Sequence, residues 1–246
     1  MISLTKDKEL KGYKSLTVYP EVAHFVTTRH GGVSEGTYGS FNCSPYTKDS
    51  CINVNCNQNK LFQITGHQIK ELVIPEQKHG SASLVVDESF FKESLEVRRT
   101  LLRGIDALIT NVPGYCVCVT TADCVPVLLY DRRLQVVAAV HAGWRGTVLR
   151  IAGKTVRILM DEYGADPRLM KAGIAPSIGP EAFEVGEEVV DAFREAGFEM
   201  SCILKRDADT GKAHIDLWEA NRLQLLTEGL SAGNIELAGI CTYAHP

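Results

Sequence analysis

The stretch Val117–Thr147, VCVTTADCVPVLLYDRRLQVVAAVHAGWRGT, constrains the fold more than any other. It holds three apolar runs of strand length, Val117–Val119, Val125–Tyr130 and Val136–Val140. Continuous β-branched runs of this kind read as buried strands. Asp131-Arg132-Arg133 is a polar turn between the second and third. The first run leads through Thr120-Thr121-Ala122-Asp123 to Cys124, and the third delivers His141 at its tip. A thiol and an imidazole at strand ends, on a rigid scaffold, suit chemistry. Gly143-Trp144-Arg145-Gly146 then reads as a turn, with Thr147 as the N-cap of a helix.

The helix predicted from Thr147 to about Tyr163 repeats Val148, Ile151, Ala152, Thr155, Val156, Leu159 and Met160 at the spacing of one buried face, with Gly164 as its stop. A second helix is expected over Glu187–Ala196, ended by Gly197. A third is capped by Asp216 and runs to Gly229. Strands are expected at Leu16–Tyr19, His24–Thr28, Leu72–Ile74, Ser83–Val86, Leu169–Ala175 and Ile235–Cys241. Asp106-Ala107-Leu108-Ile109-Thr110 precedes the central stretch, Thr28–Gly36 is a glycine-rich loop, and Cys43 to Gln58 reads as polar and irregular. Strands and helices mixed in this way predict an α+β or mixed-sheet α/β fold, not a pure doubly wound one.

Several classes are disfavoured. The net charge of −4 gives no electrostatic reason to expect nucleic acid. No stretch approaches the ~20 apolar residues needed to span a bilayer. The opening MISLTKDKELKGYK lacks the apolar region of a signal peptide, so a cytoplasmic location is expected. No GxGxxG or GxxxxGK[ST] motif supports a nucleotide-cofactor or P-loop reading. Among the eight cysteines there is no CxxC pair, which disfavours zinc ribbons and thioredoxin-type redox motifs. Cys116 and Cys118 share one strand face and are expected in the core.

Of the seven histidines, His79 and His141 stand out by context, as does Cys124. His79 follows a strand and precedes Gly80. A His2Cys set with one open position is a recognised catalytic zinc arrangement, and sulfur with imidazole favours zinc or copper over magnesium or calcium. The residues stand 45 and 17 positions apart, a spacing that specifies little by itself. The same residues permit another chemistry, in which a histidine sustains Cys124 as a nucleophilic thiolate. Trp144-Arg145-Gly146-Thr147 is an anion-site candidate through Arg145 and the helix start, or else a plain cap. The Thr28–Gly32 loop, with Arg29, could wrap a ligand or simply turn.

TTRHGGVSEGTYGSFN (27–42), EQKHG (76–80), DALITN (106–111), TTADCVPVLLYD (120–131), AVHAGWRGT (139–147), APSIGPEAFEVGEEV (175–189) and HIDLWEANRLQL (214–225) together resemble the YfiH-like family, also labelled the multicopper polyphenol oxidase or laccase domain family. The resemblance implies a single domain over 1–246, built of mixed β-sheets flanked by helices, and zinc held by His79, Cys124 and His141. The family continues past CTY into a Phe-Ser-His-Arg-Arg segment that this sequence lacks after Cys241–Pro246, so the family's C-terminal tail is expected to be absent.

The resemblance implies three activities: phosphorolysis of adenosine, inosine, guanosine and methylthioadenosine with some adenosine deamination; polyphenol oxidation; and cysteine-type amidase editing of peptidoglycan precursors. A multicopper oxidase needs a type 1 site and a trinuclear cluster, with more histidines than seven and many in His-x-His pairs, so copper is disfavoured. An open zinc can acidify water for attack at C6 of adenine. Phosphorolysis needs phosphate beside C1′, for which Arg145 is the first candidate and Arg29 the second. Asp123 is assigned orientation of a ligand or proton transfer, and Gln77 a substrate contact. The amidase reading makes Cys124 the nucleophile with His79 or His141 as base. A non-enzymatic zinc-stabilised binding protein fits three ligands with no fourth poorly. The expected partners are purine nucleoside and phosphate, with no nucleic acid or membrane, and the oligomeric state is open.

Overall fold

The apolar runs assemble side by side. In the computed structural model, which describes residues 1–66 and 68–245, the order across a six-stranded sheet is Ile235–Leu237, Lys171–Ile174, Val125–Asp131, Val136–Ala142, Ala107–Thr110 and Ser83–Val85. His67 and Pro246 lie outside the described residues. The outer pair on each side is parallel and the inner pairs are antiparallel. Smaller sheets flank it, including a parallel pair of Glu71–Val73 with Tyr115–Val117. The fold is mixed α/β.

Alternation along the inner strands sorts side chains between two faces. Val125, Val127 and Leu129, with Val136, Ala138, Val140 and Ala142, join the main core against helices Ile151–Tyr163 and Leu217–Thr227. Pro126, Leu128 and Tyr130, with Val137, Ala139 and His141, look the other way, into a cavity of about 1800 Å³ beside the N-terminal segments. Among the described residues no helix is long and apolar enough to cross a membrane.

Several expectations are corrected. Leu16–Tyr19 is no strand: Lys14–Thr17 forms one helical turn that buries Leu16 beside Tyr13. A run so short carries no periodicity to separate the two. Within the polar segment Cys43–Gln58 a helix begins, Cys51–Ile64. Its buried face is Val54, Asn57 and Leu61, and the Asn57 amide donates to Ser34 Oγ and to the carbonyls of Ser40 and Asn42. A polar residue in the middle of the buried face hid the amphipathic pattern. The first run of the central stretch pairs as Tyr115–Val117, two residues earlier than read. Cys116 and Cys118 do share a face, but they are only half-buried and line the cavity. The strands at Lys171–Ile174, Val26–Thr27 and Ile235–Leu237 are shorter than expected.

Thr147 is not an N-cap. Gly143 caps a short helix, Trp144–Val148, and Thr147 lies buried inside it. A second helix starts at Ile151 after Arg150, whose φ of 64° is left-handed. The break is covered by the Leu217–Thr227 helix. Gln224 donates from Nε2 to the Thr147 carbonyl and accepts from the Gly153 N–H, while Asn221 donates to Thr147 Oγ1. Polar groups freed by the interruption are thereby paired. Met160 is exposed rather than buried, but Gly164 ends the helix in the left-handed conformation, as expected. The helices Glu187–Glu195 and Leu217–Thr227 also form, the latter with Asp216 accepting from the Glu219 N–H.

Candidate functional site

Register brings the reactive side chains to one edge of the sheet. Val125 pairs with Ala142 and Pro126 with His141, so Cys124, just before the first of these strands, faces the end of the second. Ala107 pairs with Val140, which puts Asp106 beside His141, and the His141 N–H donates to the Asp106 carbonyl at 2.7 Å. Ser83–Val85 runs parallel to Ala107–Thr110, so the loop before it, carrying His79, arrives at the same edge. The ligand atoms of His79, Cys124 and His141 all lie within 4.8 Å of one another, and the two imidazoles meet edge to face with centroids 4.8 Å apart.

Asp106 organises this edge. It is fully buried and accepts from His141 Nδ1 at 2.8 Å. It also accepts the backbone N–H groups of His79, Gly80 and Lys78 at 3.0, 2.7 and 3.3 Å. Those bonds hold His79 in its left-handed backbone, φ 58°. With Nδ1 engaged, His141 presents Nε2 to Cys124 and His79. Burial works against the Asp106 carboxylate, but the His141 and backbone hydrogen bonds hold it below the usual range. Burial likewise opposes charge on His141, yet hydrogen bonds to Asp106 and Cys124, with their charges, push it up to about 9. His79 is held below the ordinary histidine value, first by partial burial and then by the charges of His141 and Arg145.

Gly143 is needed for close approach. A Cβ there would stand 2.9 Å from Cys124 Sγ and 3.2 Å from His79 Cδ2. The donor set, two imidazoles and a thiol around this open backbone, fits one tetrahedral ion with a fourth position free.

The remaining sequence-derived residues are placed differently. Asp123 sits next to Cys124 with φ 138°, fixed by Thr242, which donates to its Oδ1 at 2.6 Å, and by the Ile178 N–H, which donates to its carbonyl. Gln77 binds Thr120 at both ends of its amide: Nε2 donates to the carbonyl and Oε1 accepts the N–H, each at 2.8 Å. That makes it a clamp on the loop leading to Cys124. Arg145 is exposed, stacks over the Trp144 ring at 4.3 Å, and makes no ion pair among the described residues. Arg29 lines the cavity and donates to the Gly39 carbonyl. Asp106 is the residue sequence reasoning missed. Its signal was a carboxylate opening the otherwise apolar run ALI.

A family model described as multi-copper polyphenol oxidoreductase laccase matches residues 23–246. A purine nucleoside phosphorylase of Bacteroides thetaiotaomicron is 51% identical over 245 residues, covering 100% of this chain and 91% of that protein. Adenosine deaminase RL5, from an unknown prokaryotic organism, is 40% identical over 221 residues, 90% of this chain and 84% of that protein. The crystal structure of YlmD from Geobacillus stearothermophilus superposes with a TM-score of 0.81 at 31% identity, covering 90% of this chain and 82% of that one.

Proposed function

The chain belongs to the multi-copper polyphenol oxidoreductase laccase family, and on that premise we propose that it is a zinc-dependent purine nucleoside enzyme. It phosphorolyses adenosine, inosine, guanosine and methylthioadenosine, with adenosine deamination as a side activity. The observation that carries this reading is the His79, Cys124, His141 cluster with Asp106 behind it, in a chain 51% identical to a purine nucleoside phosphorylase. The family description names copper, but among the described residues this is one group of three, not the several a multicopper oxidase needs. Zinc held by His79, Cys124 and His141 would supply Lewis acidity and an acidified water. The reading takes residues 1–246 as one catalytic domain in the cytoplasm.

The chain's own residues carry the rest. Phosphorolysis forms a bond from phosphate oxygen to C1′ as the bond from C1′ to the purine nitrogen breaks. Arg145, without an ion pair among the described residues, is assigned to the phosphate, and Arg29 on the cavity wall is its second. The helix that starts at Trp144 is only five residues long, so the guanidinium and not the helix dipole carries the charge. Asp123 is assigned proton transfer at the mouth of the site, and Gln77 positions the Thr120–Cys124 loop.

A second reading is favoured by one observation: Cys124 stands within 4.8 Å of His141, whose Nδ1 is hydrogen-bonded to Asp106, the order of a nucleophile, its base and the base's orienter. That is the amidase alternative. Incubation of metal-analysed protein with adenosine, with and without phosphate, separates the readings. Adenine with ribose 1-phosphate is expected, with inosine as the minor product. Neither product, together with a trapped acyl adduct on Cys124, would overturn the purine reading.

A further inference from the structure

The cavity holds a second group of thiols that the proposed chemistry does not use. Cys116 and Cys118 stand on the same face of one chain segment with Sγ atoms 3.6 Å apart. Their backbone is fixed. Cys116 is the register partner of Leu72, and the Cys118 N–H donates to the Val73 carbonyl at 2.9 Å. Cys43 lines the same cavity. It packs with Leu72 in the Leu10, Phe41 and Leu61 cluster and acts electrostatically on Cys118. All three line the cavity.

We propose that Cys116 and Cys118 form a two-sulfur site for a soft monovalent cation of the Cu(I) class. Ligand softness and number point to that class. Thiolates select soft ions, whereas a zinc site normally completes four ligands, and no imidazole or carboxylate stands with these thiols in a metal-sized group among the described residues. With metal–sulfur bonds of roughly 2.3 Å, an ion touching both sulfurs at their present separation closes an angle of about 100°. Modest χ1 rotation opens that angle toward the linear geometry of a two-thiolate ion. The backbone need not move. The Cys116 hydrogen bond and burial hold Cys118 well above the usual thiol range, so without a cation it stays protonated. Binding exchanges the thiol protons of Cys116 and Cys118 for the ion: two S–H bonds break, two S–metal bonds form, and no electron is transferred. The site is separate from the His79, Cys124, His141 cluster and stands whether or not the purine reading holds.

The test is anaerobic titration of zinc-saturated protein with Cu(I) against a colorimetric Cu(I) chelator. Wild-type protein should hold one equivalent more than Cys116→Ser/Cys118→Ser, and Cys124→Ser should still take that equivalent. In wild-type protein, Cu(I) should slow alkylation of Cys116 and Cys118 by about tenfold or more, with zinc giving no such protection. The alkylation arm needs no variant to fold. Equal Cu(I) uptake by wild type and a folded double variant, or Cu(I) protection confined to Cys124, would overturn the proposal.

Discussion

Asp106 has no contact with solvent, yet it governs the geometry at the sheet edge through four hydrogen bonds. Asp106→Asn keeps the shape but turns one acceptor into a donor facing backbone N–H groups. Zinc affinity is expected to fall about 10- to 100-fold, the usual effect of losing an orienting partner. The His141 pKa should also drop from about 9, because the carboxylate that raises it is gone. Competition against a zinc chelator and NMR titration of His141 measure the two, and an unchanged zinc affinity would remove Asp106 from the site. Cys124→Ala separates ligand from nucleophile. A ligand's loss releases zinc, as His79→Ala and His141→Ala should also do, whereas a nucleophile can be lost with metal retained. Elemental analysis of the three variants decides it, and full zinc in Cys124→Ala would favour the amidase. His79, Cys124 and His141 were legible because each ends or follows an apolar run. Asp106 was not, because a carboxylate before a strand also reads as an ordinary exposed turn residue, and only sheet register puts it beside His141. The clamp of Gln77 on Thr120 joins residues 43 positions apart and leaves no local trace.

At the scale of elements, continuous apolar runs were read well and interrupted patterns were not. Val125–Asp131 and Val136–Ala142 needed nothing beyond their β-branched composition. Cys51–Ile64 escaped because Asn57 occupies a core position that pairing with Ser34, Ser40 and Asn42 makes tolerable. The break at Leu149–Arg150 escaped because its cover, Asn221 and Gln224, comes from more than seventy residues further along the chain. Helix ends marked by glycine were legible, since the conformation itself demands the residue. Gly164 is left-handed with no atom within 4 Å of an added Cβ, so Gly164→Ala meets strain without a clash. It should cost about 1–2 kcal/mol and lower Tm by several degrees. Zinc content and activity should be unchanged, because Gly164 lies at the opposite end of the helix from the sheet edge. Thermal melts with metal analysis check both, and a Tm equal to wild type would contradict the strain argument.

For the whole molecule, the proposed zinc would compete with a proton for His141, and that competition would set the pH dependence of stability. Without metal, the folded-state pKa of His141, about 9, exceeds the ordinary value of roughly 6.5. The native state therefore holds this proton more tightly than the unfolded chain. Its contribution is full below about pH 6.5 and is lost as pH rises through about 9. His79 is shifted the other way, so it titrates below this window, and Asp106 stays ionised throughout it. Zinc needs the neutral imidazole, so raising pH removes its competitor and tightens binding. A ligand that binds only the native state stabilises it by RT ln(1 + [L]/Kd), a term that grows as Kd falls. Between pH 6.5 and 8.5, metal-free Tm should fall while the gap between zinc-loaded and metal-free protein widens at constant free zinc. Asp106→Asn should flatten the metal-free slope, since its His141 no longer binds a proton tightly. Melts in chelator and in buffered zinc across that range provide the measurement. A gap that stays constant or narrows with rising pH would mean that His141 is not a ligand of the ion.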